Sequence, residues 1–360
     1  MDLNALGWNP SFEAFFAELS EQDLIAGRVM RVDRQRYRVQ GADGVWSAVI
    51  SGRFGHQARQ RSDFPAIGDW VALQVDVDQA VIHHLLPRKS RFSRQAVGTD
   101  GRGGGSGEEQ VIAANIDTVF LVNGLDGGRN FQLQRLERYL MLAWDSGADP
   151  VVVLNKADLC DTLEVFIAQA ESAAFGVPVH VVSALEDNGV EALVQYLGMG
   201  RTGAFFGPSG VGKSTLINAQ LNTKLDTGQV RRGDLRGKHT TTWSEVLYLP
   251  EGGLLIDTPG IRDIQLWADE QGLRESFEDV EALIAACRFV NCGHQSEPGC
   301  AVQQAVLDGT LDLKRLESYR KLKKEIQFLE DKRIHLSAKE DGDKKLSKSS
   351  RKWKKHHPKI

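Results

Sequence analysis

Val151-Val-Val-Leu-Asn-Lys-Ala-Asp158 stands ahead of Thr202-Gly-Ala-Phe-Phe-Gly-Pro-Ser-Gly-Val-Gly-Lys-Ser-Thr215 in this 360-residue chain, and that order decides the fold. In the second stretch, Gly207–Ser214 fits G-x-x-x-x-G-K-[ST] between an apolar run and a helical one. The loop runs from Gly207, Pro208, Ser209 and Gly210 through Val211 and Gly212 to Lys213, Ser214 and Thr215. Its glycines let the backbone curl so that successive N–H groups point at phosphates. Lys213 is placed to reach the β- and γ-phosphates, Ser214 supplies a Mg²⁺ oxygen, and the helix that starts there adds its positive end.

The first stretch ends an apolar run in Asn155, Lys156, Ala157 and Asp158, the N-K-x-D pattern that reads guanine. A carboxylate at Asp158 accepts from guanine N1–H and N2–H₂, a pair of donors adenine does not offer. Asn155 addresses the opposite edge of the base, and the Lys156 stem lies over the ring. Ser183-Ala184, at the end of the next apolar run, matches the S-A element whose backbone supports guanine O6. N-K-x-D alone is weaker evidence than the phosphate loop, because a strand-end turn with a helix cap gives the same letters at 155–158. Together they place a ligand site at the C-terminal edge of a parallel sheet.

Around these motifs the chain alternates between two hydrophobic periods. Strands are expected at Ile116–Asn123, Val151–Asn155, Val179–Ser183 and Thr202–Phe206, and helices at Gln132–Ser146, Thr162–Ala173, Gly189–Leu197 and Lys213–Leu221. Such alternation predicts a parallel sheet covered on both faces.

Asp257-Thr-Pro-Gly260 follows the apolar Leu254–Ile256 and fits D-x-x-G. The pattern is common, and only its place after a phosphate loop makes it a Walker-B-like element. Asp257 would then hold Mg²⁺ through water, and the Gly260 amide would sense the γ-phosphate. Between the loop and this element lies the polar Arg231–Thr242, suited to a switch segment. Thr241 is the preferred third Mg²⁺ ligand, with Thr240 and Thr242 as neighbours of the same chemistry. Position 261 is Ile, where Ras-like enzymes place the Gln that orients water. His239, beside the threonines, is the nearest side chain able to take that role at neutral pH. A solvated loop histidine or an RNA contact is the plainer alternative.

Cys287-x4-Cys292-x-His294-x5-Cys300 gathers three thiols and an imidazole within fourteen residues. Cys3His is a closed structural set for tetrahedral Zn²⁺, with no open position for a reacting water. The fourth cysteine, Cys160, reads as a small buried hydrophobe.

Upstream, a short helix at Phe12–Leu19 precedes five short strands: Ile25–Val32, Arg36–Gln40, Val45–Ile50, Asp69–Val75 and Ala80–Leu86. Five antiparallel strands in about 60 residues suit a small OB-fold barrel. The connection Ser51–Arg61 carries Arg53, Phe54, His56, Arg59 and Arg61, residue types fit for RNA phosphates and base stacking. Pro87–Gln110 reads as a linker, because Gly98–Gly107 is too rich in glycine for a regular element.

Hydrophobic content of 41% and charged content of 26% are those of a globular protein. No run approaches the ~18 apolar residues that span a bilayer, and Met1–Leu19 lacks the basic start of a signal peptide. The expectation is a cytoplasmic protein without a membrane partner. The net charge of −4 conceals a split: Lys314–Ile360 holds 17 Lys and Arg against 7 Asp and Glu, so +10 follows −14. A basic end on an acidic body points to a polyanionic partner.

Guanine motif before phosphate loop, an OB-like barrel ahead of both and a C-x4-C-x-H-x5-C module behind them resemble the RsgA/YjeQ family of small ribosomal subunit biogenesis GTPases. The resemblance covers roughly residues 20–335. It implies a circularly permuted GTPase (motif order G4-G5-G1-G2-G3) that binds GTP and GDP and contacts 16S rRNA. Its slow hydrolysis would be stimulated by the 30S subunit late in assembly. The implied organisation is an OB-fold domain at 1–95, a Gly-rich linker at 96–110 and a permuted α/β P-loop GTPase domain at 111–277. A mostly helical zinc-binding domain at 278–335 and a disordered basic tail at 336–360 follow, in a monomer. A non-catalytic, guanine-nucleotide-gated rRNA-binding module is the alternative, for which Ile261 is the main support.

Overall fold

The computed structural model describes residues 2–19, 23–33, 36–76, 79–95, 109–127, 130–220, 245–250, 252–257, 270–295, 297–328 and 331. Two compact units emerge. One holds the residues up to Arg94 together with Glu109–Glu278, and the other holds the residues from Asp279 on.

The first unit begins with a 3-10 turn at Leu3–Leu6 and helix α1 at Pro10–Ala17, capped by the Asn9 side chain with Pro at its first position. Strands β1 (Ile25–Asp33), β2 (Arg36–Gly41), β3 (Val45–Ile50), β4 (Trp70–Val75) and β5 (Ala80–Leu85) then close into a ring in the order β1-β2-β3-β5-β4-β1. Alternation fills its interior with Val29, Val39, Ala48, Val71, Leu73 and Ile82. Four of the five pairings are antiparallel, but β3 and β5 run parallel, which corrects the expectation of a wholly antiparallel barrel. Two strands can lie parallel only if the chain crosses over between them. The Ser51–Arg61 connection begins that crossover, and Gly52–Gln57 within it is a short helix, α2, not an irregular loop.

The segment expected to be linker from Pro87 to Gln110 also contains structure. Arg91–Gln95 (β6) and Glu109–Ala114 (β7) form a two-stranded sheet. Glycine density speaks only for residues 96–108, which lie outside the described residues.

β8 (Thr118–Gly124), β9 (Asp149–Asn155), β10 (Val179–Val181), β11 (Thr202–Phe206), β12 (Glu245–Tyr248) and β13 (Leu254–Asp257) form a sheet in the order β10-β9-β8-β11-β13-β12. All pairings are parallel except that of β12 with β13. Both faces are buried, as near-continuous apolar strands require. Val119 and Leu121 of β8 pack beneath helices α3 (Leu133–Ser146) and α4 (Leu163–Ala173), while Phe120 and Val122 face the other core with α5 (Lys213–Gln220). The expected helix at Gly189–Leu197 is a 3-10 helix over Val190–Tyr196.

Barrel and sheet are one continuous structure, because β1 also pairs with β12 through Arg31 and Glu245. A buried cation reinforces the join. Arg28, 1% exposed, donates to the carbonyls of Leu6 at 2.5 Å, Gly68 at 3.1 Å and Asn115 at 3.0 Å. Burial pulls its guanidinium down to about 10, which still leaves it charged at neutral pH. Beside it, buried Asp69 is held by Arg88 at 2.7 and 2.8 Å.

α6 (Glu270–Ser276) closes the first unit against α3. In the second, α7 (Glu278–Ala285), α8 (Ala301–Leu307) and a helix over 313–328 surround the Cys and His cluster. Arg315 forks onto Asp279 at 2.5 and 2.8 Å, and Tyr319 donates to Glu281 at 2.7 Å, tying the last helix to α7. Among the described residues no helix is long and apolar enough to cross a membrane.

Candidate nucleotide site and metal cluster

Four motif-bearing segments leave the C-terminal ends of parallel strands. Asn155 ends β9, Ser183-Ala184 follows β10, Gly207 follows β11, and Asp257 ends β13. In the sheet order these strands are neighbours, with β8 between β9 and β11. Motifs at positions 155, 183, 207 and 257 of the sequence therefore share one edge, where open α/β sheets take their ligands.

The phosphate loop has the conformation that its glycines permit. Gly207, Gly210 and Gly212 all have positive φ, at 146°, 84° and 96°. A Cβ at Gly207 would lie 2.2 Å from the Val122 carbonyl oxygen, so that position excludes every larger residue. Lys213 Nζ donates to the carbonyls of Gly207 and Pro208 at 2.6 Å each, which folds its ammonium back over the loop. Ser209, Gly210 and Thr215 are exposed, Pro208 and Ser214 are half-buried, and Val211 is fully enclosed.

Asn155 links three of the motifs. It is 1% exposed, and its side chain is committed within the protein. Nδ2 donates to the Val211 carbonyl at 2.8 Å, and Oδ1 accepts from the Ala184 N–H at 3.0 Å. Asn155 thus ties guanine motif, phosphate loop and S-A element together, and the second N–H of its amide is not needed for the Val211 bond. A Cβ at Gly212 would come within 2.3 Å of Asn155 Nδ2, so this glycine is needed for the tie to form.

Lys156 adopts left-handed backbone angles, φ 66° and ψ 39°, at a cost of about 1 kcal/mol for a non-glycine residue. That turn starts the short Ala157–Leu159 helix and brings Asp158 to Ser183, whose hydroxyl donates to Asp158 Oδ1 at 2.5 Å. Asp158 is exposed and Ser183 buried, so a buried hydroxyl orients an exposed carboxylate. The Ala157 N–H donates to Val182 at 3.2 Å. The Lys156 ammonium pairs with Asp126, a residue outside every sequence motif. Asp126 Oδ1 also accepts from Asn130 Nδ2 at 2.7 Å. Partial burial works against ionising Asp126, but Lys156 and Asn130 outweigh it and hold its carboxyl below the usual range. An aspartate in Gly124-Leu-Asp-Gly127 resembles an ordinary turn residue, so no local signal marks it.

Of the expected Mg²⁺ set, Ser214 stands in the first turn of α5, past the loop that leaves β11, and Asp257 ends the neighbouring strand β13. Hydroxyl and carboxylate oxygens of this kind fit a hard divalent cation. Thr241, His239, Gly260 and Ile261 lie outside the described residues.

The four metal-ligand candidates are brought together. The ligand atoms of Cys287, Cys292, His294 and Cys300 all lie within 4.8 Å of one another. Cys287 Sγ is 3.9 Å from Cys300 Sγ and 3.5 Å from His294 Nδ1, and Cys300 Sγ is 3.7 Å from that nitrogen. A zinc tetrahedron with Zn–S near 2.3 Å and Zn–N near 2.0–2.1 Å requires edges of about 3.8 and 3.5 Å. The donor set fits. Burial raises the Cys287 thiol, but the Val302 and Ala301 N–H groups at the start of α8 outweigh that and bring it below its ordinary value. Cys292 is pushed up to about 11 by burial and by the neighbouring sulfurs. His294 takes φ 55°, and its carbonyl accepts from Gln303 Nε2 at 2.7 Å and from Arg320. Cys160 is half-buried against the sheet core rather than fully enclosed.

On the barrel, Arg53, His56 and Arg59 are exposed and Arg61 half-buried, all on or beside α2. The Phe54 ring is half-buried and packs edge-on against Phe64 at 6.4 Å.

The RsgA GTPase family profile matches residues 85–267. The small ribosomal subunit biogenesis GTPase RsgA of Opitutus terrae is 43% identical over 337 residues, covering 90% of each chain. Its counterpart from Syntrophotalea carbinolica is 39% identical over 99% of each chain. The crystal structure of YjeQ from Thermotoga maritima superposes with a TM-score of 0.64 at 27% identity, covering 84% of this chain and 99% of that one. YloQ, a circularly permuted GTPase, superposes at 0.60 and 24% identity over 86% and 96%.

Proposed function

The chain belongs to the RsgA GTPase family, and we propose that it hydrolyses GTP to GDP and phosphate while assisting late maturation of the 30S ribosomal subunit. The observation that carries this reading is the meeting of Asn155–Asp158, Ser183-Ala184, Gly207–Thr215 and Asp257 along one sheet edge. Asp158, oriented by Ser183, reads guanine. The backbone N–H groups of the phosphate loop and Lys213 hold the phosphates, as charge-assisted donors do. Mg²⁺ would be held by Ser214, Asp257 and Thr241, and would neutralise charge developing on the phosphate oxygens. His239 orients the attacking water in place of the glutamine that Ile261 cannot be, and Gly260 senses the γ-phosphate.

Cys287, Cys292, His294 and Cys300 hold one structural Zn²⁺ that orders the second unit. Arg53, His56, Arg59 and Arg61, the zinc module and the basic tail contact 16S rRNA, and the protein works as a cytoplasmic monomer. The alternative, a guanine-nucleotide-gated rRNA-binding module without turnover, is favoured by Ile261 alone.

GTP turnover measured with 30S, 50S and 70S particles, and without ribosomes, separates the two. Stimulation by 30S subunits above the basal rate is expected. Equal, background-level turnover in all four, with GTP still bound, would establish the non-catalytic gate.

A further inference from the structure

The ion pair between Lys156 and Asp126 lies at the guanine motif, yet Asp126 belongs to none of the nucleotide motifs. Its position is set by the sheet. β8 and β9 are parallel neighbours whose last paired residues are Gly124 and Asn155, and the Leu125 N–H donates to the Asn155 carbonyl at 2.9 Å. Asp126 and Lys156 are thus the first residues free of the ladder on adjacent strands. The phosphate loop runs close to the end of β8, since a Cβ at Gly124 would stand 3.6 Å from Val211 Cα. With side-chain exposures of 25% for Lys156 and 21% for Asp126, the pair is mostly withdrawn from solvent. Asn130 fixes the other carboxylate oxygen at 2.7 Å, so the carboxylate is anchored and the lysine is drawn to it.

A lysine stem has four rotatable carbons and costs up to about 2 kcal/mol to immobilise. In a guanine site the useful part of Lys156 is that stem, laid flat along the base, and a free ammonium would let it swing. We propose that Asp126 is a positioning residue for guanine-nucleotide binding. By holding the Lys156 ammonium, it fixes the stem across the base-binding surface before the nucleotide arrives. The proposal rests on reading Asn155–Asp158 as the guanine site. It concerns affinity rather than the chemical step, because Asp126 lies at the base end of the sheet edge, away from Asp257 on β13.

The test is a double-mutant cycle on the full-length protein, read by the dissociation constants of fluorescent GDP and GTP. Asp126→Asn should weaken both nucleotides about tenfold, raise KM for GTP likewise and leave kcat at saturation within about twofold. Asp126→Glu should restore most of the affinity. In a Lys156→Ala background, Asp126→Asn should have no further effect. An equal tenfold loss in both backgrounds would overturn the proposal, as would unchanged affinity in Asp126→Asn. A fall in the melting temperature of the nucleotide-free Asp126→Asn protein large enough to explain the loss, with no rescue by Glu, would assign Asp126 to stability and overturn it too. Wild-type protein that binds no GDP would refute the underlying site reading itself, an outcome distinct from tight wild-type binding that Asp126→Asn leaves untouched.

Discussion

The amide of Asn155 and the carbonyl of Val211 are 2.8 Å apart, which fastens the guanine motif to the phosphate loop across 56 residues of chain. The same side chain accepts from Ala184, so three nucleotide elements meet on one buried amide. Buried polar groups left without partners cost about 1–3 kcal/mol each. Asn155→Ala strands the Val211 carbonyl and the Ala184 N–H together. It should lower the thermal midpoint by several degrees and weaken GTP and GDP alike by about 100-fold. Calorimetric titration and thermal denaturation check both effects, and wild-type affinity in the variant would show that the tie is dispensable.

Asp158 is held by Ser183 and its residue is exposed, the arrangement the proposed guanine contact requires. Charged hydrogen bonds of this kind contribute about 1.5–3 kcal/mol. Asp158→Asn should weaken GTP by about 10- to 100-fold and move preference towards xanthine nucleotides, whose N2 is replaced by an acceptor. Competition between GTP and XTP for the variant is the measurement, and retained guanine selectivity would remove Asp158 from the site.

The metal cluster belongs to the second unit and the nucleotide motifs to the first. One Zn²⁺ per chain is expected by elemental analysis. Chelation should therefore increase hydrogen exchange over residues 279–328 while GDP affinity stays within about twofold, since metal binding is coupled to folding only where its ligands lie. Freshly purified protein without zinc would end this reading.

His239→Ala is expected to slow 30S-stimulated GTP hydrolysis by about 100-fold or more with little change in GTP affinity, the signature of a group acting only in the transition state. Single-turnover kinetics with subunits in excess give the rate. Undiminished turnover would mean that rRNA or another side chain places the water.

The exposed cations Arg53 on α2 and Arg59 just beyond it, with Arg61, belong to a folded barrel, whereas Lys344–Ile360 lies outside the described residues. Binding through phosphates releases counterions, so every cation–phosphate pairing removed should reduce the log K against log salt slope by about 0.7–0.9. Replacing the three arginines and deleting the tail should each flatten the slope of 30S binding, leaving ribosome-free hydrolysis unaltered. A tail deletion that changes neither affinity nor slope would make the tail a solvated appendage.

Much of the architecture can be read directly from local pattern. The parallel sheet is visible in Val151–Leu154 and Thr202–Phe206, because strands buried on both faces need unbroken apolar runs. Phosphate loop, guanine motif and Cys3His cluster are visible because their chemistry demands particular residues at short, rigid spacings. Only the tertiary structure decided the rest. The parallel pairing of β3 with β5, the β6–β7 ribbon and the β1–β12 join bring together distant segments, for which a strand's own residues carry no address. So too with individual side chains. Asn155 turns inward to Val211 and Ala184, and Asp126 becomes the partner of Lys156, because strand order brings those groups within reach. Residue type states what a side chain can bond; which partner it finds depends on the three-dimensional neighbours that packing supplies.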